Sequence, residues 1–184
     1  MVPHRFPGTP EDLEAEARLR RLRSDRIVQA CVQGLEPTAS VLEIGVGSGV
    51  LLAEFARRGY RVGGVDIRPD MIEAARRRLP NAELILAPAN ALPFRPQSFD
   101  LVLFGLVFHE LEDRVGALRQ ARRVAKRRVA VLEWPYESGE FGPPLDHRLP
   151  RETVLAEFAG AGLSPVTSER VGALVLYFSE ATTS

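Results

Sequence analysis

The segment Glu43-Ile44-Gly45-Val46-Gly47-Ser48-Gly49 sets an acid ahead of three glycines at alternate positions. Glycines so spaced allow a tight turn and bare a stretch of main chain, so a ligand can lie directly on the backbone. A dinucleotide fingerprint requires G-x-G-x-x-G, and here Val50 stands in the place of the third glycine. The G-x-x-x-x-G-K-S/T pattern of a phosphate loop is also missing, and no lysine lies in the segment to meet phosphates. Asp66 follows Gly49 by 17 positions at the end of an apolar run. An acid at such a strand end accepts hydrogen bonds from both hydroxyls of a ribose. Glycine loop and acid together describe a site for a nucleoside-bearing ligand; the plainer reading is a turn of structural glycines beside an unrelated aspartate.

Other residues have chemistry to offer. An imidazole titrates near pH 6.5, which suits a general base at neutral pH. His109, just after a buried apolar run, is therefore the candidate base, against the reading of a packing histidine that moves no proton. Glu110 reads as a solvated or capping acid and Asp113 as the N-cap of the next helix, a position where Asp is favoured. Trp134 and Tyr136 either wall an acceptor pocket or are ordinary strand-end residues. His147 and Arg148, in a Pro-rich loop, either bind an anionic acceptor or hold the loop. His4 and Phe6 either fold over the site as a lid or belong to a frayed terminus. The one cysteine, Cys31, has apolar neighbours and reads as buried and inert.

The elements that must position these groups follow from periodicity. Helices are expected over 11–34, 51–58, 69–79, 113–125 and 149–161, and strands over 41–45, 61–66, 82–86, 99–105, 128–134, 163–170 and 173–180. Strands alternating with helices make a parallel sheet covered on both faces. The last two strands are too close in sequence for a parallel crossover and should form an antiparallel hairpin. The expected fold is a single doubly wound, Rossmann-like α/β domain over 1–184, with a seven-stranded, mostly parallel sheet. Residues 1–34 would form an N-terminal segment and helix able to act as a lid, and 35–184 the core. Ligand belongs beyond the carboxyl ends of the central strands, at the switch point. The irregular segments 87–98 and 135–149 lie near those ends.

Composition removes several function classes. The chain has 184 residues, 45% hydrophobic and 26% charged, with formal net charge +0, so it is no general polyanion binder. One cysteine and three histidines leave little for a metal site, and none is expected. No secretory leader and no run of about 18 apolar residues is visible, so the expectation is a cytoplasmic protein without a membrane span. The arginines at 18, 20, 21, 23 and 26 read as a solvated helix face; without interleaved aromatics, nucleic acid is not the expected partner.

Residues Val41–Gly49 and Asp66 carry a resemblance, together with Leu92-Pro93-Phe94, Ser98-Phe99-Asp100-Leu101-Val102 and Phe108-His109-Glu110-Leu111. This set resembles the class I S-adenosylmethionine-dependent methyltransferases, in particular the ubiquinone/menaquinone-biosynthesis type, closely over about 35–135. His4-Arg5-Phe6 and the 142–148 loop resemble, more weakly, a subgroup of them. The resemblance implies S-adenosylmethionine as donor, S-adenosylhomocysteine as product, no metal, and a small-molecule acceptor. It implies that Glu43, the Gly45–Gly49 backbone and Gly105 lie by the methionine moiety, and that Asp66 holds the ribose. Ile67, Met71, Ala89 and Asn90 would then flank the adenine. Two departures stand out. Pro88 replaces an acid that often accepts from the adenine amine, and Lys126-Arg127-Arg128 replaces the usual Pro-Gly-Gly turn, which should alter its shape. The alternatives are a non-catalytic scaffold that keeps the cofactor pocket and, against the glycine spacing, an NAD(P) oxidoreductase. Acceptor and oligomeric state are left open.

Overall fold

A computed structural model describes residues 6–15, 23–139 and 141–181. In chain order the described elements are α1 (Pro10–Glu14), α2 (Ser24–Val32), β1 (Ser40–Ile44), α3 (Val50–Arg57), β2 (Arg61–Asp66), α4 (Pro69–Arg78), β3 (Glu83–Leu86) and β4 (Phe99–Gly105). A 3-10 turn (Phe108–Glu110), α5 (Arg114–Val124), β5 (Ala125–Glu133), a second 3-10 turn (Leu145–His147), α6 (Arg151–Gly160), β6 (Thr167–Val171) and β7 (Leu174–Glu180) complete the order.

The strands form one sheet in the order β3-β2-β1-β4-β5-β7-β6. β1 pairs in parallel with β2 and β4, and β4 with β5, while β7 runs antiparallel to both β5 and β6. The expected architecture is the observed one. β1 is buried at every position, as an inner parallel strand covered on both faces must be. On one face α5 and α6 pack Leu118, Ala121 and Phe158 against Val102, Phe104 and Val131. On the other, Ile27, Val28 and Cys31 of α2 and Phe55 of α3 meet Leu101, Leu103 and Leu132. Strand order reverses between β1 and β4, which places the switch point beside Glu43 and Gly105.

Three expectations are corrected. Among the described residues the span 11–34 holds two helices, α1 and α2, rather than one continuous helix. Ala15 is extended (φ −53, ψ 128), and Arg23 is left-handed (φ 50, ψ 54). Leu13 of α1 reaches the glycine loop, whereas Ile27, Val28 and Cys31 of α2 face the sheet, so the two stripes serve different surfaces. Arg18, Arg20 and Arg21 lie outside the described residues. The fifth strand begins at Ala125, not 128: α5 passes into β5 with no loop, so the altered turn expected there is a direct helix-to-strand bend. The sixth strand begins at Thr167, not 163. Pro165, which has no N–H for a ladder, stands ahead of it.

Candidate active site

The carboxyl ends of β1, β2, β4 and β5 open onto a cavity of about 830 Å3, within the roughly 300–1,000 Å3 typical of small-molecule clefts. Its lining includes Glu43, Gly45, Gly47, Asp66, Ile67, Met71, Ala89, Asn90, Gly105 and His109, so the structure brings these expected site residues together. Gly49 is adjacent, as the N-cap of α3.

One end is made of strand ends and bare backbone. Gly45 has φ 71, and a Cβ there would come within 2.5 Å of the Val107 side chain, so no other residue fits without moving that loop. Gly105 lies against Glu43, whose Oε1 occupies the place a Cβ would take. Asp66 accepts from the Gly47 N–H at 2.9 Å and from the Arg68 N–H at 2.9 Å, which ties the glycine loop to the end of β2. Burial pushes the Asp66 carboxyl up in pKa against the lowering effect of those donors. Glu43 is 3% exposed, and its Oε2 has no hydrogen-bond partner. Burial first, then the charge of Asp66, holds its carboxyl well above the usual range. Met71 is buried while Ile67 is half exposed at the lip. Pro88 also lines this end and brings no acid, as the sequence indicated.

The other end centres on His109. Its Nδ1 lies 2.8 and 3.0 Å from the two oxygens of Glu133, and its main-chain N–H donates to Glu133 Oε1 at 3.0 Å. Glu133 is 2% exposed and also accepts from the Trp134 N–H at 3.0 Å, so its orientation is fixed. In neutral His109 the proton then belongs on Nδ1, leaving the lone pair on Nε2. Burial lowers the imidazole pKa, but the hydrogen bond and charge of Glu133, with that of Glu110, outweigh it, and the net shift is upward. Sequence reasoning missed Glu133 as a partner. Its one signal was an acid closing the otherwise apolar run Val129-Ala130-Val131-Leu132.

Glu110 is neither solvated nor a cap. Its side chain is 17% exposed, sits 3.9 Å from His109 Nε2 and accepts from the Phe6 N–H at 3.1 Å. Arg68 donates to the Phe6 and Gly8 carbonyls at 3.1 and 2.8 Å, so the segment from Phe6 to Gly8 is strapped to the cavity at both ends. Phe6 and Leu13 line the cavity; His4 lies outside the described residues. Asp113 caps α5 by accepting from the Gly116 N–H. Leu106, Trp134, Phe141, Pro143 and Pro144 form an apolar wall. Leu106 takes φ 60, a strained conformation for a non-glycine residue and of the kind that collects at functional sites. Tyr136 is 53% exposed and does not line the cavity. Arg148 is turned to main-chain carbonyls rather than presented to a ligand. Cys31 is buried and its thiol is pushed up by burial, as expected of an inert core cysteine.

Among the described residues no group of three or more His, Cys, Asp or Glu could hold a metal ion, and no helix is long and apolar enough to cross a membrane.

The profile of a family described as a methyltransferase domain matches residues 42–132. Among curated proteins the chain is 33% identical over 154 residues to a malonyl-[acyl-carrier protein] O-methyltransferase of Halorhodospira halophila, covering 78% of this chain and 49% of that protein. It is 35% identical over 97 residues to a demethylmenaquinone methyltransferase of Thermotoga maritima, covering 50% and 42%. The chain thus spans about half the length, or less, of these curated relatives. Its fold matches that of a SAM-dependent methyltransferase from Aquifex aeolicus with a TM-score of 0.86 at 21% identity, over 97% of this chain and 100% of that one. With the domain profile over 42–132, about half of the chain, and these curated relatives, the chain belongs to the methyltransferase-domain family.

Proposed function

We propose that the protein transfers the methyl group of S-adenosylmethionine to a small, largely apolar acceptor, giving S-adenosylhomocysteine. The observation that carries this reading is the Glu43 carboxylate, buried beside the glycine loop with Oε2 unpartnered. A buried acid without a partner is costly, and a cationic ammonium such as that of a methionine moiety would satisfy it. Asp66, at the end of β2, keeps acceptor capacity beyond its two backbone donors for ribose hydroxyls. Ile67 and Met71 would flank the adenine, with the Ala89 backbone and Asn90 meeting its edge in place of the acid that Pro88 lacks.

A sulfonium methyl is already activated, so the protein's task is to align a nucleophile behind it and exclude water. The acceptor atom bonds to the methyl carbon as the carbon–sulfur bond breaks and its electron pair stays on sulfur. Where the acceptor carries a proton, as a phenol or enol does, His109 Nε2 takes it, with Glu133 holding the imidazole and stabilising its charge. The relatives' names place one on a malonyl-acyl-carrier protein and the other on demethylmenaquinone. The cavity supports an uncharged acceptor for this chain. Among the described residues, Arg68 is the one Arg or Lys lining it, and Arg68 is engaged by Asp70 and the strap.

The test is to incubate the protein with methyl-labelled donor and a panel of phenols, enols and carboxylates. Labelled product should appear from phenols or enols. His109→Gln should lower turnover by about 10²–10⁴-fold with donor affinity unchanged. No product from any acceptor, or full activity in His109→Gln, would contradict the reading.

A further inference from the structure

Arg148 is 6% exposed, yet among the described residues its hydrogen-bond partners are main-chain carbonyls and no carboxylate. Nε donates to the Pro143 carbonyl at 2.8 Å, one terminal nitrogen to those of Glu137 at 2.8 Å and Pro135 at 3.3 Å, and the other to Phe141 at 2.8 Å. These carbonyls belong to the segment that leaves β5 and to the segment that returns toward α6. The guanidinium therefore draws both arms of one loop onto a single centre. It also sits 5.7 Å from the centroid of the Trp134 ring, whose edge or face meets Phe141 at 5.4 Å and 76°. A Cβ on Gly142 would come within 2.7 Å of the same indole, so the loop backbone is pressed against the ring. A planar fork with five donors can hold carbonyls lying in several directions, and an ammonium cannot reproduce it.

We infer that Arg148 is a positioning residue for the acceptor: by gathering the carbonyls of this loop it preforms the wall of Trp134, Phe141 and Pro143 against which a flat, uncharged acceptor lies. This rests on the proposed methyl transfer and adds to it how the acceptor end is shaped. A preformed wall binds without first being ordered, so its loss weakens acceptor binding while leaving the strand-end site for the donor unchanged. A sequence reading of this arginine as an anion receptor gives the opposite expectation, since its removal would then affect carboxylates most.

The experiment uses wild type, Arg148→Lys and Gly142→Ala, the last of which disturbs the wall while keeping the guanidinium. Calorimetry measures S-adenosylhomocysteine first, then 2-naphthol and malonate monomethyl ester in its presence. Trp134 is the chain's one tryptophan, so its emission maximum and quenching by acrylamide report the wall directly. Both variants should bind S-adenosylhomocysteine within about twofold of wild type, because distant sites act independently. Both should lose about tenfold or more in 2-naphthol affinity and shift Trp134 emission to the red. Unchanged 2-naphthol binding and emission in the two variants would overturn the inference. So would wild type that binds S-adenosylhomocysteine but not 2-naphthol, or one that prefers the malonate ester. Failure of wild type to bind S-adenosylhomocysteine would instead remove the proposed function.

Discussion

Asp66 and Arg148 both gather main-chain groups, Asp66 in the cavity lining and Arg148 beside the Trp134 wall. Asp66 accepts from the N–H groups of Gly47 and Arg68 and sits at the last position of a parallel strand. Arg148 donates to carbonyls of an irregular loop that has no ladder of its own. At the Asp66 end the sheet supplies the positions, and the side chains need only be acidic or absent. Around Arg148 a short 3-10 turn supplies little of the shape, and one buried guanidinium gathers the rest of the loop. The strand-end half is thus held by topology and the Trp134 wall by side-chain chemistry. That division suits the proposed methyl transfer, because the wall can be rebuilt for another acceptor without altering the sheet.

The division breaks or sharpens under substitution. The largest separation should come from Asp66→Ala, which removes hydrogen bonds to a charged acceptor. Donor affinity should fall by about 1.5–3 kcal/mol, on the order of ten- to a hundredfold, by calorimetry. Trp134 emission should not change, and a shift in it would show the two ends to be coupled.

Glu43→Gln should separate binding from stability. Burial and Asp66 raise the Glu43 pKa, so the fold holds its proton more tightly than the unfolded chain does. Stability from this group is therefore lost as pH rises through the window above the ordinary carboxylate value. Gln removes that loss, and the ligand-free protein should melt about 2–4 °C higher at neutral pH if about 1 kcal/mol is recovered, while donor affinity falls. A lower melting temperature would mean that the Glu43 charge is already compensated.

The His109–Glu133 pair predicts a pH signature of the other residue type. His109 has a raised pKa, so its contribution to stability is full below the unfolded value near 6.5 and is lost as pH rises through the folded one. The melting-temperature advantage of wild type over His109→Gln should shrink across that window. Glu133→Gln should move the imidazole titration, followed by NMR, to lower pH. An unmoved titration would remove Glu133 as the partner.

The smallest effect concerns the N-terminal strap. Arg68→Ala releases the carbonyls of Phe6 and Gly8 but leaves the Phe6 N–H on Glu110. Donor dissociation, by stopped flow, should quicken by about two- to fivefold, the worth of partly exposed hydrogen bonds. No change would show that the strap does not cover the donor.

What the sequence made legible follows the same division. The glycine loop and Asp66 are local patterns whose spacing is tied to strand and helix ends, and the mostly parallel sheet with its closing hairpin follows from alternating periodicity. Glu133 was visible only as an acid ending an apolar strand; its partner depends on β5 lying beside β4, where Leu132 pairs with Gly105. Arg148 was legible as a cation but not as a hub, because hydrogen bonds to carbonyls leave no mark on the residues that supply them. The departures from helix at Ala15 and Arg23 were hidden by a charged stretch compatible with one continuous helix.

The central claim is that the strand-end half of the cavity binds the methyl donor, and calorimetric titration of the wild-type protein tests it most directly. S-adenosylmethionine and S-adenosylhomocysteine should bind with micromolar affinity, about −8 kcal/mol, and NAD should not. Binding of NAD, or of neither sulfur compound, would contradict the account.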